Sequence, residues 1–125
     1  PAASGHLWMR SEPPPLYADE NVEGALVRAL RAMRWDVVRG IAVPPPGTAD
    51  QVHFAEAAHL RRVLLSHGTD MLAIAVRWQA GGVAFAGLVF LATRKHPDTR
   101  SAIRALRACI ASFPESAPAN RIIFA

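Results

Sequence analysis

Two short runs hold the residues best able to do chemistry. Leu16-Tyr17-Ala18 is apolar and ends in Asp19-Glu20-Asn21. Val63-Leu64-Leu65 is apolar and ends in Ser66-His67-Gly68-Thr69-Asp70. Helical sequence follows each run. A strand that delivers carboxylates to its C-terminal tip, where a helix begins, is how an open α/β sheet builds a site. If the two strands are parallel neighbours, Asp19 and Asp70 meet at one sheet edge. Carboxylates held together there bind a divalent cation or repel each other.

Each residue also has a plainer role. Asp19 and Glu20 complement a helix dipole, but a dipole needs one acid and this tip carries two, with Asn21 beside them. Asp70 is placed to cap the helix that carries Met71, Leu72, Ile74 and Ala75. Ser66 is positioned to orient a carboxylate or a metal-bound water. His67 is a base, a phosphate contact or a loop residue, and no third partner completes a hydrolytic triad. Asp50 opens a helix and caps it or reaches over the sheet edge; Glu56, further along, is a solvated position or reaches over the same edge, with Asp50 better placed at the helix start. His53 and His59 are six residues apart, so they do not share a helix face and do not pair as zinc ligands.

The elements that must position these residues alternate. Val22, Ala25, Leu26, Ala29, Leu30 and Met33 recur at helical spacing, which predicts a one-sided helix over 22–34 with Asn21 as its cap. Asp36-Val37-Val38-Arg39 reads as a strand, and Pro44-Pro45-Pro46-Gly47 as a loop. A helix is expected from Thr48 to about Leu60, a strand at 63–65 and a helix from Asp70 to Ala80. Gly87-Leu88-Val89-Phe90-Leu91 is the clearest strand of the apolar stretch from Ala80 to Ala92. Pro97 opens a helix to Phe113, with Ile103, Leu106, Ile110 and Phe113 on its apolar stripe. Ile122-Ile123-Phe124 reads as a last strand near an edge. The order βαβαβαβαβ predicts a three-layer α/β/α domain with a mostly parallel central sheet.

The composition agrees with one domain: 125 residues, 51% of them hydrophobic. Residues 1–15 are expected to be a tail, with Met9 a candidate native start, and 16–125 a single domain. A single cysteine, Cys109, leaves no disulfide framework and reads as a small buried hydrophobe in a cytoplasmic protein. The apolar stretch is too short to span a bilayer, so no membrane partner is expected. The net charge is +4, and of the 14 basic residues only Lys95 is a lysine. Guanidinium forks suit phosphate oxygens. Arg94, Lys95 and His96 follow a strand on the acidic edge. Arg100, Arg104 and Arg107 line one face of the last helix, and Arg61 and Arg62 precede the third strand. These are the candidate nucleic-acid contacts, read against a solvated helix face.

Together, Leu-Tyr-Ala-Asp19-Glu20-Asn21, the Asp-Val-Val of 36–38, Thr48-Ala49-Asp50, Val-Leu-Leu-Ser66-His67-Gly68-Thr69-Asp70-Met71 and Gly-Leu-Val-Phe-Leu at 87–91 resemble the short PIN-like proteins, relatives of the VapC-type toxin ribonucleases. The resemblance covers Leu16 to Phe124. It implies a PIN-like fold and Mg²⁺- or Mn²⁺-dependent cleavage of RNA, with an antitoxin protein and a homodimer as further partners. By motif position it makes Asp19, Asp50 and Asp70 the catalytic acids and metal ligands, with Ser66 and His67 in the same signature as supporting groups. The reading of the residues themselves adds Glu20 or Glu56 as a further acid for the metal, Asn21 as a supporting group, and Arg94, Lys95, Arg100 and Arg104 as contacts for RNA. The chain departs from the family pattern at Gly68, where an aspartate is usual, and at Met71, where a phenylalanine is usual. Fewer anionic ligands mean weaker divalent binding, so a non-catalytic binding protein on the same fold is the alternative. A receiver-like phosphoacceptor ranks lower, because the third strand runs into Ser66 and no lysine follows the last strand.

Overall fold

The computed structural model describes residues 13–40, 48–92, 95–113 and 118–125. The expected tail (in part), the proline loop and Arg94 lie outside them. Five strands are built: β1 (Leu16–Ala18), β2 (Val37–Arg39), β3 (Val63–Ser66), β4 (Leu88–Phe90) and β5 (Ile122–Phe124). Four helices alternate with them: α1 (Gly24–Ala32), α2 (Thr48–His59), α3 (Thr69–Ala80) and α4 (Thr99–Ala111).

All neighbouring strands are parallel, in the order β2-β1-β3-β4-β5. β1 and β3 are buried along their whole length. A strand covered on both faces needs an unbroken apolar run, as both sequences have. Strand residues alternate between two cores. Leu16, Ala18, Leu65, Val89 and Leu91 pack against Leu26, Leu30, Leu106 and Cys109 of α1 and α4. Tyr17, Leu64 and Leu88 pack against Phe54, Ala57, Met71 and Ile74 of α2 and α3. The result is the expected three-layer α/β/α arrangement. Among the described residues no helix is long and apolar enough to cross a membrane.

The last connection is unusual. The chain moves the same way across the sheet in β2–α2–β3, β3–α3–β4 and β4–α4–β5, yet α4 lies on the face of α1 rather than of α2 and α3. Its crossover therefore has the opposite hand to the others, a departure from the strong right-handed rule for parallel units. A helix stripe read from sequence carries no information about which face it covers.

Two expected caps are corrected. Glu23, not Asn21, stands at the N-cap of α1, because residues 19–22 are taken up in a turn after β1. Gly68, not Asp70, stands at the N-cap of α3. Pro97 precedes α4 rather than opening it: Asp98 caps the helix, its carboxylate accepting from the Ser101 N–H at 2.8 Å.

A candidate carboxylate site at the tips of β1 and β3

In this strand order, β1 leads to β2 on one side while β3 continues the sheet on the other. The crevice at their C-terminal ends is where ligands bind in open α/β sheets. Asp19 sits there, one residue past β1, and is only 1% exposed. Its N–H donates to the Leu65 carbonyl at 3.1 Å, extending the ladder one residue beyond β1. Its carboxylate is held from two directions. The Asn21 N–H donates to Oδ1 at 2.8 Å, closing an Asx turn. The Ser66 hydroxyl donates to Oδ2. Ser66 Oγ in turn accepts from the Gly68 N–H at 2.9 Å. Ser66 is completely buried, so its lone proton has one destination and the carboxylate has one orientation. This is the orienting role read for Ser66. Asn21 contributes its backbone, while the residue itself is exposed.

Three further acids share the edge. Asp50 is half-buried in the first turn of α2. Burial is the main cause of a pKa above the usual carboxylate range, and the charges of Asp19, Asp70 and Glu20 add to it, against a smaller opposing effect of His53. The charges of Asp19, Asp70 and Glu20 are thus felt at Asp50. Asp70 is exposed in the first turn of α3, and Glu20 is half-buried in the turn after β1. Among the described residues, no three histidine, cysteine, aspartate or glutamate side chains are close enough to cage an ion directly.

Gly68 is not required by the backbone. Its φ is −90° and its ψ 131°, open to any residue. A Cβ there would touch only Ser66 Oγ, at 3.5 Å.

Behind Asp50 lies a polar unit that the sequence did not announce, with Tyr17 and His53 buried and Glu56 exposed. Tyr17 points from β1 into the α2–α3 face. Its hydroxyl donates to Glu56 Oε2 at 2.8 Å and lies 2.8 Å from His53 Nδ1. A carboxylate only accepts, so the single phenolic proton goes to Glu56 and the oxygen accepts from the His53 Nδ1–H. Burial first, then Glu56, pushes the phenol well above its ordinary pKa. His53 is 1% exposed, and its Nε2 has no partner among the described residues. The available signal was the three-residue spacing of His53 and Glu56, which puts them on one face of α2. Glu56 is exposed, as expected of a solvated position, and also accepts the phenolic proton.

The chain matches no protein-family model, no curated protein and no solved structure.

The remaining candidates lie around this edge or away from it. His67 does not join the acids: its Nδ1 lies 2.8 Å from the Leu91 main-chain oxygen, and the residue lines a cleft of about 250 Å³ with His96, Glu23, Asp98 and Leu26. Lys95, Arg100, Arg104 and Arg107 are exposed beyond β4 and along α4. Arg62 lies at the other end of the sheet, where it pairs with Asp36 at 2.8 Å and donates to the Leu16 carbonyl, so it takes no part at the acidic edge.

Proposed function

We propose that the chain is a Mg²⁺- or Mn²⁺-dependent ribonuclease of PIN-like type. The observation that carries this reading is the fixed, buried carboxylate of Asp19 at the β1–β3 crevice, near Asp50, whose pKa is raised by burial first and then by the charges of Asp19, Asp70 and Glu20. Such a group is poised for a cation. The donor set is all carboxylate oxygen, which suits a hard ion. Mg²⁺ keeps several of its waters and is commonly held through one or two carboxylates, so the spread of these acids fits it better than a closed cage.

Asp19 would be the fixed ligand, with Asp50 and Asp70 completing the site and Glu20 within reach. A bound divalent ion supplies acidified water and neutralises charge on phosphate oxygens. The residues of the chain do the rest. Ser66 keeps Asp19 aimed into the crevice, and Lys95, Arg100 and Arg104 hold the phosphate backbone. RNA is the substrate, the cytoplasm the compartment, and the resemblance adds an antitoxin protein and a second copy of the chain as partners.

Calorimetry with Mn²⁺ and hydrolysis of RNA in its presence test the proposal. The wild-type chain is expected to bind Mn²⁺ and cleave RNA. Asp19→Asn is expected to stay folded and lose cleavage by several orders of magnitude. Metal-dependent cleavage that survives this substitution undiminished overturns the assignment. Gly68 favours a second reading, a non-catalytic binder on the same fold. Wild-type chain that binds no Mn²⁺ at millimolar concentration selects it.

A further inference from the structure

We propose that Tyr17, His53 and Glu56 form a positioning unit that docks α2 on β1 and so sets Asp50 beside Asp19. The inference rests on the metal-dependent reading of that edge. Tyr17 lies in β1, two residues before Asp19 at its tip, and Glu56 and His53 lie about two turns and one turn after Asp50 on the same helix. The two hydrogen bonds of one hydroxyl, both 2.8 Å, tie the strand that ends in Asp19 to the helix that begins near Asp50. Neither bond can slide by a residue without losing its partner. The pair thus adds a contact between named atoms to the register that the apolar packing around it sets.

The surroundings are built for this contact. A Cβ on Gly40 would lie 2.6 Å from His53 Nδ1 and 2.9 Å from the Tyr17 hydroxyl. The end of β2 thus closes over the pair only because residue 40 has no side chain. His53 is also a poor choice for packing alone. Its buried Nε2 finds no partner among the described residues, and an unsatisfied buried nitrogen opposes folding. The imidazole is explained by the bond its other nitrogen makes. Residues that orient metal ligands without touching the ion commonly change affinity or activity by about 10–100-fold.

Tyr17→Phe, His53→Leu and Glu56→Gln test the unit, each read by thermal melting and Mn²⁺ calorimetry. Tyr17→Phe fills the same space without the hydroxyl and is expected to fold and to bind Mn²⁺ about tenfold more weakly. His53→Leu is expected to melt no lower than wild type yet bind Mn²⁺ more weakly. A purely structural role would move both readouts together or neither. Glu56→Gln keeps an acceptor for the phenol and is expected to bind near the wild-type value. If Tyr17→Phe and His53→Leu are folded and bind Mn²⁺ as wild type does, the proposal is wrong. A wild-type chain that binds no Mn²⁺ defeats the nuclease reading instead. Docking is then decided by amide hydrogen exchange: faster exchange across α2 in Tyr17→Phe, with β1 and β3 unchanged, supports it, and unchanged exchange in α2 overturns it.

Discussion

Gly40 and Gly68 stand at the same sheet edge, on either side of Asp19, and they are glycines for different reasons. Gly40 follows β2, donates its N–H to the Ala18 carbonyl at 2.8 Å, and is buried against the His53 ring. Any side chain there collides with the His53 ring and the Tyr17 hydroxyl. Gly68 follows β3 in open, extended geometry with room for a side chain. The first glycine is imposed by packing. The second is free of it, so its absent carboxylate is a chemical property of the site and not a by-product of the fold. The polar unit behind the acids is thus more tightly specified than the acid cluster itself.

The largest expected effect breaks the imposed side of this comparison. Gly40→Ala forces a Cβ to within 3 Å of both His53 and the Tyr17 hydroxyl. Overpacking of this kind costs about 1–3 kcal/mol, to be read as a lower urea midpoint with unchanged slope. A variant as stable as wild type would show that the ring and the phenol can move apart, and that the Gly40 constraint is weak.

The free side responds differently. Gly68→Asp meets no clash, and as the N-cap of α3 it gains a side chain able to accept from the helix's first N–H groups. Stability is expected to hold within a few tenths of a kcal/mol or rise slightly. The new carboxylate joins Asp19, Asp50 and Asp70, and Mn²⁺ affinity measured by calorimetry is expected to rise on the order of tenfold with the added ligand charge. Unchanged affinity would mean that residue 68 does not face the ion, which would undercut the placement of Asp70 in the same segment.

Much of this was legible in the sequence, and what escaped did so for physical reasons. The strands at 16–18, 37–39 and 63–66 are short apolar runs bounded by polar residues, and the apolar stripe of α1 locates that helix by period, whereas α2 carries no clear stripe and is located by the proline loop before it and the strand after it. Asp19, Asp50 and Asp70 were named because each ends a strand or begins a helix. Capping was misread at Asn21 and Asp70, because several polar residues stand at each strand-to-helix turn and only the backbone path decides which one caps. The Tyr17–His53–Glu56 unit joins residues 36 and 39 positions apart, and no local period reports a contact at that range. The hand of the last crossover is equally silent: the stripe of α4 predicts that it buries a face, not which side of the sheet it buries it on.

The smallest expected effect sharpens the comparison at the acid cluster. Asp50 has its folded-state pKa raised, by burial first and then by Asp19, Asp70 and Glu20. Well below the ordinary carboxylate range both folded and unfolded chains hold the proton, and Asp50 contributes nothing. As pH rises through the ordinary value the unfolded chain loses the proton first. The folded chain still holds it, so stability falls with pH until the folded group also ionises, and the penalty remains complete above that point. Asp50→Asn removes the penalty. In the absence of metal it is expected to melt slightly above wild type at neutral pH, with the difference gone at acid pH. Saturating Mn²⁺ should reverse the order, because wild type gains more binding free energy through its intact ligand set. A neutral-pH melt in which the variant is the less stable protein would mean that Asp50 makes a favourable contact in the folded chain outweighing its repulsion by the other acids. The cluster would then be a structural network and not a site held ready for a cation.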